Sequence, residues 1–374
     1  MSQTSHFSFL PIGVLALGLF STLQPRQNEA VTLRTKYTEE LALQTDTTVT
    51  YESERVAFSM VRDGEEIDMG DRMGGPSTQL RSTSIIDVYS AAKDGAPTQV
   101  TRTFDILEGI SVRSMGGEEM ENTTNGPLEG VSIEISLDDE GELTVAVVDG
   151  AEPDDEALLE GHSLALGLDA LLPEGEVELG ATWEFDGALL MSALGFDLDA
   201  QLFPPVPFER PEGGPGGGGG GWGGRMSRPE SSFAKLFLDT VWEGEAELAS
   251  ELEEVEGASC YVIEFSAEGE ADIPDPPART GGGRRGGDAD ELSAMGAEPA
   301  AALGGTGILK IEGKLYFSVD LGRPVALEAE SSATVETESI RAGRDGGETI
   351  TNSTTESTMT IAIAISVPDL EEGE

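Results

Sequence analysis

The sequence predicts a mainly β or α+β protein: a curved antiparallel sheet, or two half-sheets, with two apolar helices packed on one face. Three observations carry this. Apolar residues recur at every second position in many runs, which marks strands with one buried and one wet face. Short turn signals separate consecutive runs, so neighbouring strands pair as antiparallel hairpins. Two stretches of helical spacing interrupt the pattern between strand blocks, which places helices against a sheet face.

Residues 1–30 read as a signal peptide and disordered start. Phe7 to Phe20 is an apolar run of signal-peptide length, too short for an ordinary membrane span of roughly 20 residues. It lacks a preceding Lys or Arg and a clear Ala-x-Ala site, and the alternatives are a short anchor or a buried N-terminal segment. No Cys stands at its end, which argues against a lipid-anchored form. The expectation is an exported protein, periplasmic or at the cell surface, whose mature chain starts between Ser21 and Val31, with no integral span after signal removal.

Residues 31–203 are expected to hold N-terminal antiparallel strands and both helices. Ile85–Tyr89 and Gln99–Phe104 flank the turn signal Lys93-Asp-Gly-Ala-Pro97. Val131, Ile133, Ile135 and Leu137 alternate with polar residues. The turn Asp138-Asp-Glu-Gly141 then leads to Leu143, Val145 and Val147. Asp154-Asp-Glu-Ala157 supplies cap and first-turn carboxylates for a helix over Leu158–Leu172, which Pro173 ends. A second helix is expected over Ala188–Phe203, where Leu190, Leu194, Leu198 and Leu202 stand four apart before Pro204-Pro205.

Residues 204–230 and 274–306 are rich in glycine and proline, with six consecutive glycines in the first and Gly-Gly-Gly-Arg-Arg-Gly-Gly in the second. Such stretches lose much backbone entropy on ordering and have little to bury, so both read as flexible loops. Neither contains the Gly-Lys-Ser/Thr of a phosphate cradle. Arg284 and Arg285 form a small positive spot, which suggests an intramolecular tether. Between the loops, 231–273 reads as a strand hairpin, Thr240–Leu252 and Cys260–Ala267 about Glu253-Glu-Val-Glu-Gly257.

Alternation is strongest in the C-terminal strands, 307–368. Leu309, Ile311, Leu315, Phe317 and Val319 share one face, as do Val325, Leu327, Ala329, Ala333 and Val335 across the turn Asp320-Leu-Gly-Arg323. Met359, Ile361, Ile363, Ile365 and Val367 form the last apolar row, and 369–374 is an acidic tail.

Composition narrows the function classes. There are 71 Asp+Glu against 22 Lys+Arg, a net charge of −49, so phosphate backbones and anionic head groups are repelled; no nucleic-acid partner is expected. Cys260 is the only cysteine, which rules out an intramolecular disulfide and a cysteine-held metal centre; its apolar neighbours make it a buried hydrophobe.

One set of motifs resembles a known group. Asp87-Val-Tyr89, Thr101-Arg-Thr-Phe104, Pro127-Leu-Glu-Gly130, Leu171-Leu-Pro173 and Val177-Glu-Leu-Gly-Ala-Thr-Trp183 resemble an uncharacterised family of exported β-rich bacterial proteins. That family carries the order Pro-Leu-Glu-Gly, Leu-Leu-Pro, Val-x-Val-Gly-Asp-x-Trp, and here Ala181 stands in place of Asp. The resemblance covers Ile85 to Phe203 and implies an exported β-rich protein without a known activity or site residue. Independently of it, Gly180 suits a tight turn, and Trp183 and Phe185 alternate into a core. Trp242 precedes the second block in a comparable way, so Trp183 and Trp242 are expected as matching anchors of two half-sheets.

No catalytic, cofactor-binding or metal-ligating residue is assigned, and no cofactor is expected. His6 lies before the signal run, and His162 is the one other histidine, placed as a packing or helix-surface residue. No Gly-x-Ser-x-Gly, His-Glu-x-x-His or Ser-x-x-Lys pattern is present. Asp138–Glu142 and Asp154–Glu156 hold oxygen ligands close together, yet neither has EF-hand spacing, and a hairpin turn and a helix start explain them. Asn122-Thr-Thr124 and Asn352-Ser-Thr354 fit the glycosylation pattern.

Three functional readings follow, in order. The first is an envelope protein binding a lipid or other apolar small molecule in a sheet–helix cavity. The second is a cell-surface structural or interaction protein with an envelope protein partner and no pocket. The third is a carboxylate-based hydrolase, for which no acidic pair stands out.

Overall fold

The computed structural model describes residues 30–67, 75–115, 118–138, 140–204, 237, 240–273, 303–342 and 348–368. The signal segment Phe7–Phe20, the tail 369–374 and nearly all of both glycine-rich loops lie outside the described residues. The strands are β1 (Val31–Thr32), β2 (Ala42–Arg62), β3 (Glu65–Glu66), β4 (Ser77–Lys93), β5 (Ala96–Met115), β6 (Glu118–Asn125), β7 (Ser132–Leu137) and β8 (Leu143–Asp149). After an irregular segment come β9 (Glu176–Val177), β10 (Thr182–Asp186), α1 (Gly187–Ala193) and α2 (Asp199–Leu202). The chain ends in β11 (Val241–Val255), β12 (Ala258–Ile273), β13 (Leu303–Ser318), β14 (Arg323–Ala342) and β15 (Glu348–Ser366).

The strand order is β10-β11-β12-β13-β14-β15-β2-β4-β5-β7-β8, with β3 on β2 and β6 also on β5; β1 and β9 form a separate pair. Every pairing is antiparallel. The two strand blocks join where β15 pairs with β2, from Thr349↔Arg62 to Ser366↔Gln44, so they lie in one sheet rather than two half-sheets. The sheet does not close into a barrel. β13 begins at Leu303, inside the stretch expected as a spacer up to 306.

One face of this sheet is the core. Leu43, Phe104, Ile133, Leu248, Phe265, Leu309, Leu327 and Ile361 belong to a single buried cluster with the apolar residues of 158–202. The expected alternation places Ile133, Leu309, Leu327 and Ile361 correctly, with three departures, while Leu43 belongs to β2, a strand the alternation did not mark. Val319 and Val367 are exposed because they follow the last paired residues of their strands. A register shift between Tyr316 and Phe317 displaces Val325, which packs on the opposite face with Cys260, Val262 and Tyr316. Leu137 and Leu143, opposite each other at a hairpin end, are also exposed.

The two expected helices are not continuous. Leu158–Leu172 holds only 3-10 turns at Glu156–Leu159 and Gly167–Leu171. Gly161 between them has φ of 78°, which no helix turn accommodates, and the leucines are buried by the sheet instead. Ala188–Phe203 breaks at Gly195, φ 73°, into α1, a 3-10 turn at Phe196–Leu198, and α2. Helices this short are unstable alone, so packing on the sheet holds them. Together residues 154–172 and 187–204, on either side of β9 and β10, form a strap across the apolar face. Among the described residues no helix is long and apolar enough to cross a membrane.

Candidate functional site

Between strap and sheet lies a cavity of about 130 Å³. Its floor is formed by Thr45, Thr47 and Val49 of β2, Arg81, Thr83, Ile85 and Asp87 of β4, Arg102 of β5, and Ile363 and Ile365 of β15. Its roof comes from the strap at Ser163, Ala165–Leu168 and Ser192–Asp199, with Leu202 and Phe203. Alternation explains the floor: odd-numbered positions of β2, β4 and β15 face the strap. The roof can lie close because Gly167 passes Ser192, where a Cβ would come within 2.1 Å of the Ser192 carbonyl oxygen.

Charged residues occupy core-face positions around this cavity. Asp87 stands between Ile85 and Tyr89, and Arg102 between Val100 and Phe104, so period 2 turns both inward. The Arg102 guanidinium donates twice to the Asp87 carboxylate, at 2.8 and 2.9 Å, and the two residues are only 5% and 3% exposed. Burial pulls the Arg102 pKa down, and the Asp87 carboxylate, helped by Tyr89 and Asp197, more than offsets it. Beside them His162 is buried, its Nε2 donating to the Leu158 carbonyl at 3.2 Å and its ring 5.6 Å from that of Phe104. Burial, then the Arg102 charge, push the imidazole down to about 4, so it is neutral near pH 7.

At the other side of the cavity Arg81 pairs with Asp199 of α2, and its guanidinium lies 5.1 Å from the Phe203 ring centre. Burial raises the Asp199 carboxyl, and Arg81 works against that rise. A third polar group latches the strap to the N-terminal segment. Thr35 and Tyr37 both donate hydroxyl protons to Asp169, the latter at 2.6 Å, and the Leu166 N–H donates to the Tyr37 oxygen at 2.9 Å. Burial raises the Asp169 carboxyl and holds the Tyr37 hydroxyl far above its usual range.

The residues singled out in the sequence fall mostly elsewhere. Cys260 is a buried free thiol on the opposite face. Asp138 Oδ1 accepts from the Glu140 and Glu142 N–H groups, and Asp155 caps the turn that follows it, so these carboxylates serve local backbone. Trp183 and Trp242 are not counterparts in separate half-sheets. They sit on the paired strands β10 and β11, donating to the Leu171 and Phe237 carbonyls. Asn122 and Asn352 are exposed within β6 and β15. The buried pair Asp87–Arg102 was missed, though the signal was present: two charges of opposite sign at apolar-face positions of adjacent predicted strands.

No family model matches the chain, and no curated protein matches it. A solved structure, the InvG secretin-domain β-barrel of the Salmonella SPI-1 injectisome NC-base, is similar over 89% of this chain at 9% identity and a TM-score of 0.12. The chain spans 64% of that structure's length. So weak a likeness leaves the function to be argued from geometry.

Proposed function

We propose that this is an exported protein that binds an apolar or amphipathic small molecule between its strap and its sheet. The observation that carries the reading is the cavity itself, walled by Leu194, Leu198, Leu202, Phe203, Ile363 and Ile365, with a few polar groups converging on it. At about 130 Å³ it has the scale of an engineered apolar cavity that takes up benzene. A longer acyl chain requires the strap to move outward. Short helical turns joined by glycines make the strap the part of the core with the least backbone hydrogen bonding of its own.

Solvent extraction of the natively purified protein, followed by mass spectrometry, tests for a resident ligand. An environment-sensitive apolar dye should bind near 1:1 stoichiometry, and Leu198→Trp, which fills the cavity from its half-buried wall, should weaken that binding at least tenfold. A folded protein that neither carries a ligand nor binds the dye would exclude the reading.

A further inference from the structure

The sheet is open, and its ends differ chemically. Among the described residues, the free edges at β3, β6 and β10 carry Glu65 and Glu66, Glu119 and Glu121, and Glu184 and Asp186. Charges of this kind guard an edge against pairing with another strand. β8 has no such guard. Leu-Thr-Val-Ala-Val-Val runs uncharged from Leu143 to Val148 before Asp149 ends the strand. Among the described residues β8 pairs with β7 alone, and Leu143 and Val148 are 50% and 53% exposed. Backbone N–H and C=O groups alternate across a strand, so half of those from Leu143 to Val147, before the bulge at Val148, point away from β7.

We infer that β8 is a docking edge for an extended segment of another protein, apolar and β-branched in its middle and basic at its ends. Strand addition supplies backbone hydrogen bonds, and alternate side chains extend the two faces. The basic ends follow from charge. Exposed Asp138, Glu140 and Glu142 precede the strand, and exposed Asp149, Glu152 and Asp154 close it. The same charges disfavour a second copy of this chain. Antiparallel self-pairing about Ala146 sets Leu143 against Asp149, which brings one copy's acidic turn beside the other's Asp149 to Asp154, within a chain of net charge −49.

The test uses a fluorescent peptide, Lys-Thr-Val-Thr-Val-Thr-Lys, titrated into the full chain and followed by anisotropy, with amide exchange of β8 as the structural readout. Binding should be saturable and should slow exchange of backbone amides between Leu143 and Val148. Val148→Lys, at an exposed position, should weaken binding at least tenfold. Thr360→Lys, the same charge change on an exposed position of β15, should leave it within twofold. No saturable binding, equal loss in both variants, or protection elsewhere than β8 overturns the proposal. So does a dimer in analytical ultracentrifugation that Val148→Lys dissociates, since a second copy then occupies the edge.

Discussion

The Asp87–Arg102 pair fixes how β4 and β5 meet beneath the strap. Both side chains have lost nearly all contact with water, and they satisfy each other through two hydrogen bonds. Arg102→Met therefore leaves an unpaired buried carboxylate, and the expected loss is about 3–5 kcal/mol. Adding Asp87→Leu to that variant should recover most of it, as read from urea midpoints at constant slope. His162 predicts a pH effect. Its folded pKa, about 4, lies below the ordinary 6.5, so the unfolded chain takes up the proton first. The stability this contributes is fully present above pH 6.5 and is lost as pH falls toward 4, on the order of 2–4 kcal/mol. Asp169 and Asp199, whose carboxyls are raised, shift stability the opposite way over the acid range. His162→Leu isolates the histidine: the stability of wild type minus that of the variant should be constant above pH 6.5, fall by on the order of 2–4 kcal/mol as pH drops toward 4, and level off below that.

At the scale of elements, the outer face of the sheet carries an unbalanced ladder. Glu184 faces Glu245, Glu243 faces Glu268, Glu247 faces Glu264 and Glu312 faces Glu330. Like charges directly opposite one another are destabilising. Lysines relieve two of these places: Lys314 reaches Glu253 at 3.0 Å and Glu264 at 3.3 Å, and Lys310 pairs with Glu268. Salt should therefore raise the melting temperature. Glu245→Lys, set against Glu184, should stabilise by about 0.2–1 kcal/mol at low ionic strength and by less in 0.5 M salt. Most strands were legible because period 2 and turn residues coincide, as in Met359 to Ile365 and in Lys93-Asp-Gly; β2 was not, because its core-face positions Thr45, Thr47 and Ser53 are polar and blur the apolar row. The strap was legible only as apolar sequence. Leucine spacing over 158–202 suits a helix, but Gly161 and Gly195 take positive φ, and the chain satisfies its leucines by folding against the sheet. Propensity lost to tertiary packing there.

For the whole molecule, the seam between β15 and β2 makes one cooperative body of chain ends that lie far apart in sequence. Amides near Val49 and Ile361, buried or half-buried at this seam, should exchange only through global unfolding. Amides of Ser163–Leu168 and Ser192–Asp199 should exchange earlier, through local opening of the strap, and slow when a ligand is bound. Hydrogen exchange with and without the apolar dye measures both. A net charge of −49 adds self-repulsion to that body.

Sequence by itself determined what local periodicity encodes: strands, their turns, their apolar face, and the acidity of the other face. The motif residues Tyr89, Phe104, Leu128 and Leu171 were also visible, and all four are fully buried. Only the tertiary structure decided that the two strand blocks share one sheet, that the strap is broken, that Asp87 meets Arg102, and that β8 is left open. Each of these depends on which segments meet across long stretches of chain, and contacts of that range leave no periodic mark in the segments that make them.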